Sequence, residues 1–271
     1  MTDVSSLPLG LRLKHRVGTS ALAGPANWLR HAAARVRGAG HPELGLLRQE
    51  DAMIDAVLTR LVKPDWHCLD VGGHLGSVSY RLQQLAPRGH LTIVEASPGK
   101  AAQLARRFVG ATVHAVAVSD APGEVSFYEN LAQPGFSSLA DRADRGVTRE
   151  IRVPARRIDD LMGEARVDFL KIDVEGFEYP ALRGAEALLS RERPVILFEA
   201  GALGDAAIDA GLADRLFDYL TAGHGYRIHA AFDLYYDRPA ISPELFTAYR
   251  RYPYLAFNYF ALPQAGNGAD L

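Results

Sequence analysis

One cysteine in 271 residues, Cys68, leaves nothing with which to close an internal disulfide, and one thiol cannot build a zinc site alone. That usage suits a reducing cytoplasm. No charge of either sign dominates: 30 Lys and Arg stand against 32 Asp and Glu, a net charge of −2. With no global basic field, nucleic acid is not expected as a partner. No apolar run approaches the roughly 20 residues of a membrane-spanning helix, and the N-terminus lacks the apolar core of a signal peptide. No internal repeat is visible. What remains, 48% hydrophobic and 23% charged, is the composition of a soluble globular protein. Its length suits one domain of ordinary size with an extension, or at most two small ones.

The stretch Trp66-His-Cys-Leu-Asp-Val-Gly-Gly-His-Leu-Gly-Ser77 reads as a buried strand, a glycine turn and the start of a helix. Such a turn makes a nucleotide crevice in an open parallel sheet. A dinucleotide fingerprint wants Gly-x-Gly-x-x-Gly; here Gly73 and Gly76 supply the second and third glycines but Val71 occupies the first. The fit to Asp-x-Gly-x-x-x-Gly through Asp70, Gly72 and Gly76 is complete, which resembles the first motif of class I S-adenosylmethionine-dependent methyltransferases.

Strand and helix patterns alternate along the chain, which implies a parallel α/β sheet. Strands are expected at 91–94, 112–118, 125–128, 151–155, 167–173 and 195–198, a strand-rich stretch over 226–236, and a last strand over 254–262. One helix is expected over 175–190, and others begin at Ser97-Pro98 and Ser242-Pro243, a cap followed by proline at the first helical position. Residues 129–150 read as a loop over the site. Residues 1–40 carry six Lys or Arg against the single acid Asp3. Trp28, Leu29, Ala32, Ala33 and Val36 fall at helical spacing there, predicting a basic amphipathic helix that packs over the cleft or on a partner subunit of a homo-oligomer. The expected organisation is an N-terminal helical extension over 1–45, a catalytic domain over 46–263 and a disordered tail over 264–271.

Glu95, at the end of the second strand, stands where an acid accepts hydrogen bonds from the hydroxyls of an adenosine ribose. In Leu170-Lys-Ile-Asp-Val-Glu-Gly-Phe-Glu178, Lys171, Asp173 and Glu175 alternate with apolar residues and should share one side of the strand's exit. Glu178 suits the dipole of a helix N-terminus.

Together Asp70-Val-Gly-Gly-His-Leu-Gly76, Val94-Glu-Ala-Ser-Pro98, Ala117-Val-Ser-Asp-Ala-Pro-Gly-Glu124, Gly135-Phe-Ser-Ser-Leu139, Val153-Pro-Ala-Arg-Arg-Ile-Asp-Asp-Leu161 and Lys171-Ile-Asp-Val-Glu-Gly-Phe-Glu178 resemble the FkbM family of S-adenosylmethionine-dependent methyltransferases. Gly73-His74 and Glu95-Ala96 depart from that family's usual Ala-Asn and Glu-Pro pairs. The resemblance implies a Rossmann-like class I methyltransferase fold. Its mostly parallel seven-stranded sheet would carry helices on both faces, with an antiparallel strand supplied by a hairpin between about Tyr226 and Leu262. It also implies O-methylation of a sugar, polyketide or related metabolite.

The expected cofactor, S-adenosylmethionine, would meet Asp70, Gly72, Gly73, Gly76, Glu95, Ala96 and Ala117. Asp173, Glu175 and Glu199 are the expected catalytic acids, and Ser137, Ser138 and His229 the expected substrate contacts. Asp173 and Glu199 could act as base or hold Mg²⁺; two carboxylates do not make a metal site, so the metal stays open. The rival readings are a nicotinamide-dependent oxidoreductase and a catalytically silent nucleotide-binding module.

Overall fold

The structure, a computed structural model, describes residues 42–130, 148–201, 211–251 and 254–264. The basic helix expected over 27–36, Ser137, Ser138 and all of the tail but Gln264 lie outside the described residues. The backbone N–H of Gln264 donates to the Gly225 carbonyl at 3.1 Å. The chain divides into two compact units, Met1–Ala52 and Met53–Leu271. Within the first, the described residues form the opening turns of α1 (Pro42–Leu61).

The second unit is built on β1 (Cys68–Val71), β2 (Leu91–Val94), β3 (Thr112–His114), β7 (Phe169–Ile172), β8 (Val195–Glu199), β9 (Tyr226–Ala230) and β10 (Asn258–Pro263). These strands lie in the order β3-β2-β1-β7-β8-β10-β9. All neighbours are parallel except β10, which runs antiparallel between β8 and β9. This is the Rossmann-like class I methyltransferase arrangement, antiparallel hairpin strand included. The four residues of β1, β2 and β7 are all buried, as strands covered on both faces must be. Period-two alternation divides the core: Leu69, Val71, Leu170, Ile172, Ile196 and Phe198 pack on one face, and Cys68, Ile93, Phe169, Val195 and Leu197 on the other. By the same period, Asp70 and Lys171, paired in register, occupy places on the second face where apolar residues would stand.

The helices are α2 (Ser77–Leu85), α3 (Pro98–Arg107), α4 (Ile158–Met162), α5 (Glu178–Arg183), α6 (Glu186–Glu192), α7 (Leu212–Asp218), α8 (Ala231–Tyr235) and α9 (Pro243–Tyr249). Ser97 and Ser242 cap α3 and α9 as expected, accepting from the N–H groups of Lys100 and Leu245.

Four sequence expectations are corrected. The strand over 112–118 is two: β3 ends at His114, and β4 (Ala117–Val118) joins a separate three-stranded sheet with β6 (Thr148–Arg156) and β5 (Gly123–Asn130). An unbroken apolar pattern cannot say which sheet a strand will join. The helix over 175–190 is also two, α5 and α6. Glu175 and Gly176 have φ of 54° and 93°, outside any helix, and the break at Gly184 falls where a Cβ would stand 2.2 Å from the Ser119 carbonyl oxygen. The stretch 226–236 leaves the sheet after Ala230, and α8 follows. The loop expected over 129–150 is shorter at its base, because β5 and β6 pair from Gly123↔Ala155 to Asn130↔Thr148.

Candidate active site

In the sheet order, β1 has β2 on one side and β7 on the other, so the chain changes winding direction there. Outside the carboxyl ends of such strands an open α/β sheet leaves a crevice. A cavity of about 200 Å³ lies at that place, lined among others by Gly72, Gly73, Glu95, Ala96, Ala117 and Asp173.

Its floor is the glycine turn, four of whose backbone N–H groups donate within the protein. The N–H groups of Gly72 and Gly73 donate to the Val94 carbonyl at 2.9 and 3.1 Å, and that of Gly76 to the Gly73 carbonyl at 2.7 Å. The His74 N–H donates to Glu95 Oε2 at 2.8 Å. A phosphate-binding turn needs such donors aimed outward; none of these four is available for that. Gly76 does not line the crevice. A Cβ there would come within 2.5 Å of the Phe108 ring, so packing around α2 requires a glycine at this position.

Glu95 is buried, with Oε1 accepting from the Ser97 N–H at 2.9 Å and Oε2 from His74. Each carboxylate oxygen retains a second lone pair. The acid is therefore fixed in orientation and keeps two acceptor sites. Ala96, Ala117 and Phe127 form an apolar side of the crevice, where the small second sheet meets the main one.

Asp70 is 0% exposed. It accepts from the Ser79 hydroxyl, and the Lys171 ammonium stands 3.4 Å away. The Lys171 ammonium also donates to the Gly72 carbonyl at 2.9 Å and lies 3.3 Å from Asp173. Burial works against the charge on Lys171, but Asp173 and Asp70 outweigh it and raise its pKa. Asp70 is thus a fastening between strand, helix and turn, and it also lines the crevice in which the sequence predicts its contact with the ligand. Asp173, with 35% of its side chain exposed, is the end of this chain of charges that opens into the crevice.

Glu175 lines the same space. Glu178 does more than face a helix dipole. It is buried, and its Oε1 accepts from the N–H groups of Val174 and Gly176 at 2.9 and 3.2 Å, holding the turn that carries Asp173 and Glu175. Burial, aided by Asp173 and opposed by those backbone donors, pushes its pKa from 4.5 to about 7. The folded state then binds this proton more tightly than the unfolded one. Stability contributed here is fully present below 4.5 and is lost as pH rises to about 7. Glu178→Gln, which keeps the acceptor, should remove that slope from urea-unfolding free energies measured across the window; an unchanged slope would place it elsewhere.

Glu199 follows Phe198, which pairs with Ile172, so it is the neighbour of Asp173 on the next strand. Burial first, then Asp173, Glu175 and Glu178, raise its pKa well above the ordinary value. It is near the acids of the crevice without being part of the lining. His229 is not part of the crevice lining: it sits on β9, four strands from β1, about 19 Å at ~4.8 Å per strand. Among the described residues no three His, Cys, Asp or Glu side chains form a group that could hold a metal ion.

Lys100 and Phe127 line the crevice, and sequence reasoning misses both. A lysine three residues after a Ser-Pro cap carries no signal of its own, and Phe127 arrives from a sheet whose pairing is non-local.

The sequence profile of the Methyltransferase FkbM domain matches residues 70–228. The chain belongs to this family. That membership sets aside the oxidoreductase reading. The chain is similar to the AMB antimetabolite synthetase AmbE of Pseudomonas aeruginosa, 29% identical over 239 residues, 72% of this chain and 11% of that protein. It is also similar to the 2-O-methyltransferase NoeI of Sinorhizobium fredii, 29% identical over 157 residues, 51% of this chain and 64% of that protein. The chain thus spans less than two thirds of either relative. Among solved structures, the methyltransferase FkbM of Methylobacillus flagellatus KT aligns with a TM-score of 0.47 and 17% identity, over 73% of this chain and 44% of that one.

Proposed function

We propose that this FkbM-family chain is an S-adenosylmethionine-dependent O-methyltransferase acting on a hydroxyl of a sugar, polyketide or related small molecule. One observation carries the cofactor reading: Glu95 is held rigid by His74 and Ser97 at the crevice, its remaining lone pairs fit for two vicinal hydroxyls. The donor set fits the cofactor's other parts as well. Ala96, Ala117 and Phe127 offer an apolar side for a flat base. Asp70, Glu95, Asp173 and Glu175 outnumber Lys100 and Lys171 in the lining, which suits a cationic sulfonium. S-adenosylmethionine, when bound, supplies an already activated methyl group.

What is left to the chain's own residues is to align a hydroxyl and to take its proton. Asp173 is the carboxylate for that role, oriented by Lys171 and partly open to the crevice. Glu199 and Glu175 stand behind and beside it. The choice of a hydroxyl acceptor draws on the activity for which NoeI is named, 2-O-methylation. A soluble cytoplasmic enzyme is part of the same reading, and no helix among the described residues is long and apolar enough to cross a membrane.

Calorimetry with S-adenosylhomocysteine and with NAD tests the cofactor, the first expected to bind and the second not. Methyl transfer to a hydroxylated acceptor separates an enzyme from a silent module, and its response to EDTA tests a role for Mg²⁺. Glu95→Ala should weaken S-adenosylhomocysteine by about tenfold or more, since hydrogen bonds to charged groups contribute about 1.5–3 kcal/mol. It should also lower the melting temperature, because His74 and Ser97 each lose the acceptor of a backbone N–H. Unchanged affinity in a folded variant would end the ribose assignment.

A further inference from the structure

The backbone around Asp173 is gripped from three directions. Its N–H donates to the Val71 carbonyl at 3.2 Å. Its carbonyl oxygen lies against the glycine turn, where a Cβ on Gly72 would stand 1.9 Å away. The N–H of Val174 donates to Glu178 Oε1 at 2.9 Å, and that of Gly176 reaches the same oxygen at 3.2 Å. The Asp173–Val174 peptide is thus held at both ends, by Gly72 on its carbonyl side and by Glu178 on its amide side. The first two grips are backbone on backbone. That of Glu178 comes from a side chain and is open to substitution.

Between the two N–H groups stands Glu175 with φ of 54°, followed by Gly176 at 93°. Two successive left-handed residues, the first of them not glycine, persist only where the surroundings over-determine them. Glu178 supplies that determination from a buried place at the start of α5. Burying a carboxyl there is costly, and what it adds over an apolar side chain is an oxygen for those two N–H groups. Glu178 itself is not part of the crevice lining, whereas Asp173 is. We propose that Glu178 is a positioning residue for methyl transfer, its carboxyl fixing the turn so that the Asp173 carboxylate meets the hydroxyl to be methylated. This rests on the methyltransferase reading above, in which Asp173 takes the proton. A glutamine oxygen at the same reach serves the two N–H groups as the carboxyl does, while an aspartate keeps the acid and stops one methylene short.

The test is steady-state methyl transfer by Glu178→Gln, Glu178→Asp and Glu178→Met, with a hydroxylated substrate that the wild type methylates, alongside calorimetry of S-adenosylhomocysteine. Glu178→Gln should keep most of the turnover. Glu178→Asp and Glu178→Met should lose about ten- to a hundredfold in kcat, as displacement of a reacting group by about 1 Å can cause, with S-adenosylhomocysteine affinity little changed. In an Asp173→Asn background Glu178→Asp should cost little more, the non-additivity of one residue acting through another. Additive losses would overturn the proposal. So would a glutamine variant that loses as much as the aspartate variant, since the acid and not its reach would then be the working feature. Aspartate and methionine variants that melt earlier yet turn over like wild type while folded would leave Glu178 a structural acid and overturn the proposal too. A fall in S-adenosylhomocysteine affinity in step with turnover would do the same, placing the effect on the cofactor. Should the methionine variant fail to fold, the aspartate variant carries the comparison. Wild type that methylates no hydroxylated substrate would sink the methyltransferase reading itself, an outcome distinct from variants that turn over like wild type.

Discussion

Asp173→Asn should lower turnover by about 10²–10⁴, the usual contribution of a general base, while S-adenosylhomocysteine affinity changes little. The substitution keeps shape and removes charge. Lys171 remains beside Asp70 at 3.4 Å, so its ammonium is not left without an anion, and the glycine turn keeps its contact through the Gly72 carbonyl. Turnover is measured with any acceptor that the wild type methylates, and affinity by calorimetry. Near-normal turnover would remove Asp173 from the chemistry and move the search to Glu175 and Glu199. A joint loss of turnover and cofactor affinity would instead make Asp173 part of the fastening between β1, the turn and β7.

Gly72→Val should cost both fold stability and cofactor binding, for a reason that the sequence does not disclose. From the sequence, the position matters because backbone meets ligand there. The structure gives a nearer obstacle: a Cβ at Gly72 would stand 1.9 Å from the Asp173 carbonyl oxygen. The residue also has φ of 77°, a conformation that L side chains rarely adopt. Backbone on both sides of that contact cannot give way without moving β1's exit from β7's. Strain of the backbone and overpacking each cost on the order of 1–3 kcal/mol, a large share of the stability of a domain this size. Thermal melting together with calorimetry reads both effects. A variant that melts like wild type would mean that the two turns separate more easily than their packing indicates.

The parts of the site that can be read from the sequence are those whose chemistry is local. Asp70 to Gly76 announces a strand, a turn and a helix within a few residues, and Glu95 and Asp173 follow strands short and apolar enough to recognise. What those acids do cannot be read there. That Asp70 is neutralised by Lys171 depends on a register between strands a hundred residues apart. That Glu95 caps His74 and Ser97 depends on how two loops meet. The division of 112–118 between two sheets, and the break between α5 and α6, are hidden for the same reason: the deciding contact lies elsewhere in the chain. Glu178 shows the limit clearly. Its place before a helix suggests a dipole effect, while the side chain is turned back to hold the residues ahead of it.

The position of β10 has a consequence for how the molecule comes into being. Because Asn258–Pro263 lies between β8 and β9 and pairs with both, a nascent chain that has just completed β9 has no partner for either of the facing strand edges. Unpaired edges are what invite a strand from another molecule. The crevice elements β1, β2 and β7 precede β10 in the chain and need nothing from it, so the cofactor half can assemble while the other flank is still open. The interval between those two events is when the protein is most exposed to aggregation, and it ends with the arrival of the six residues of β10.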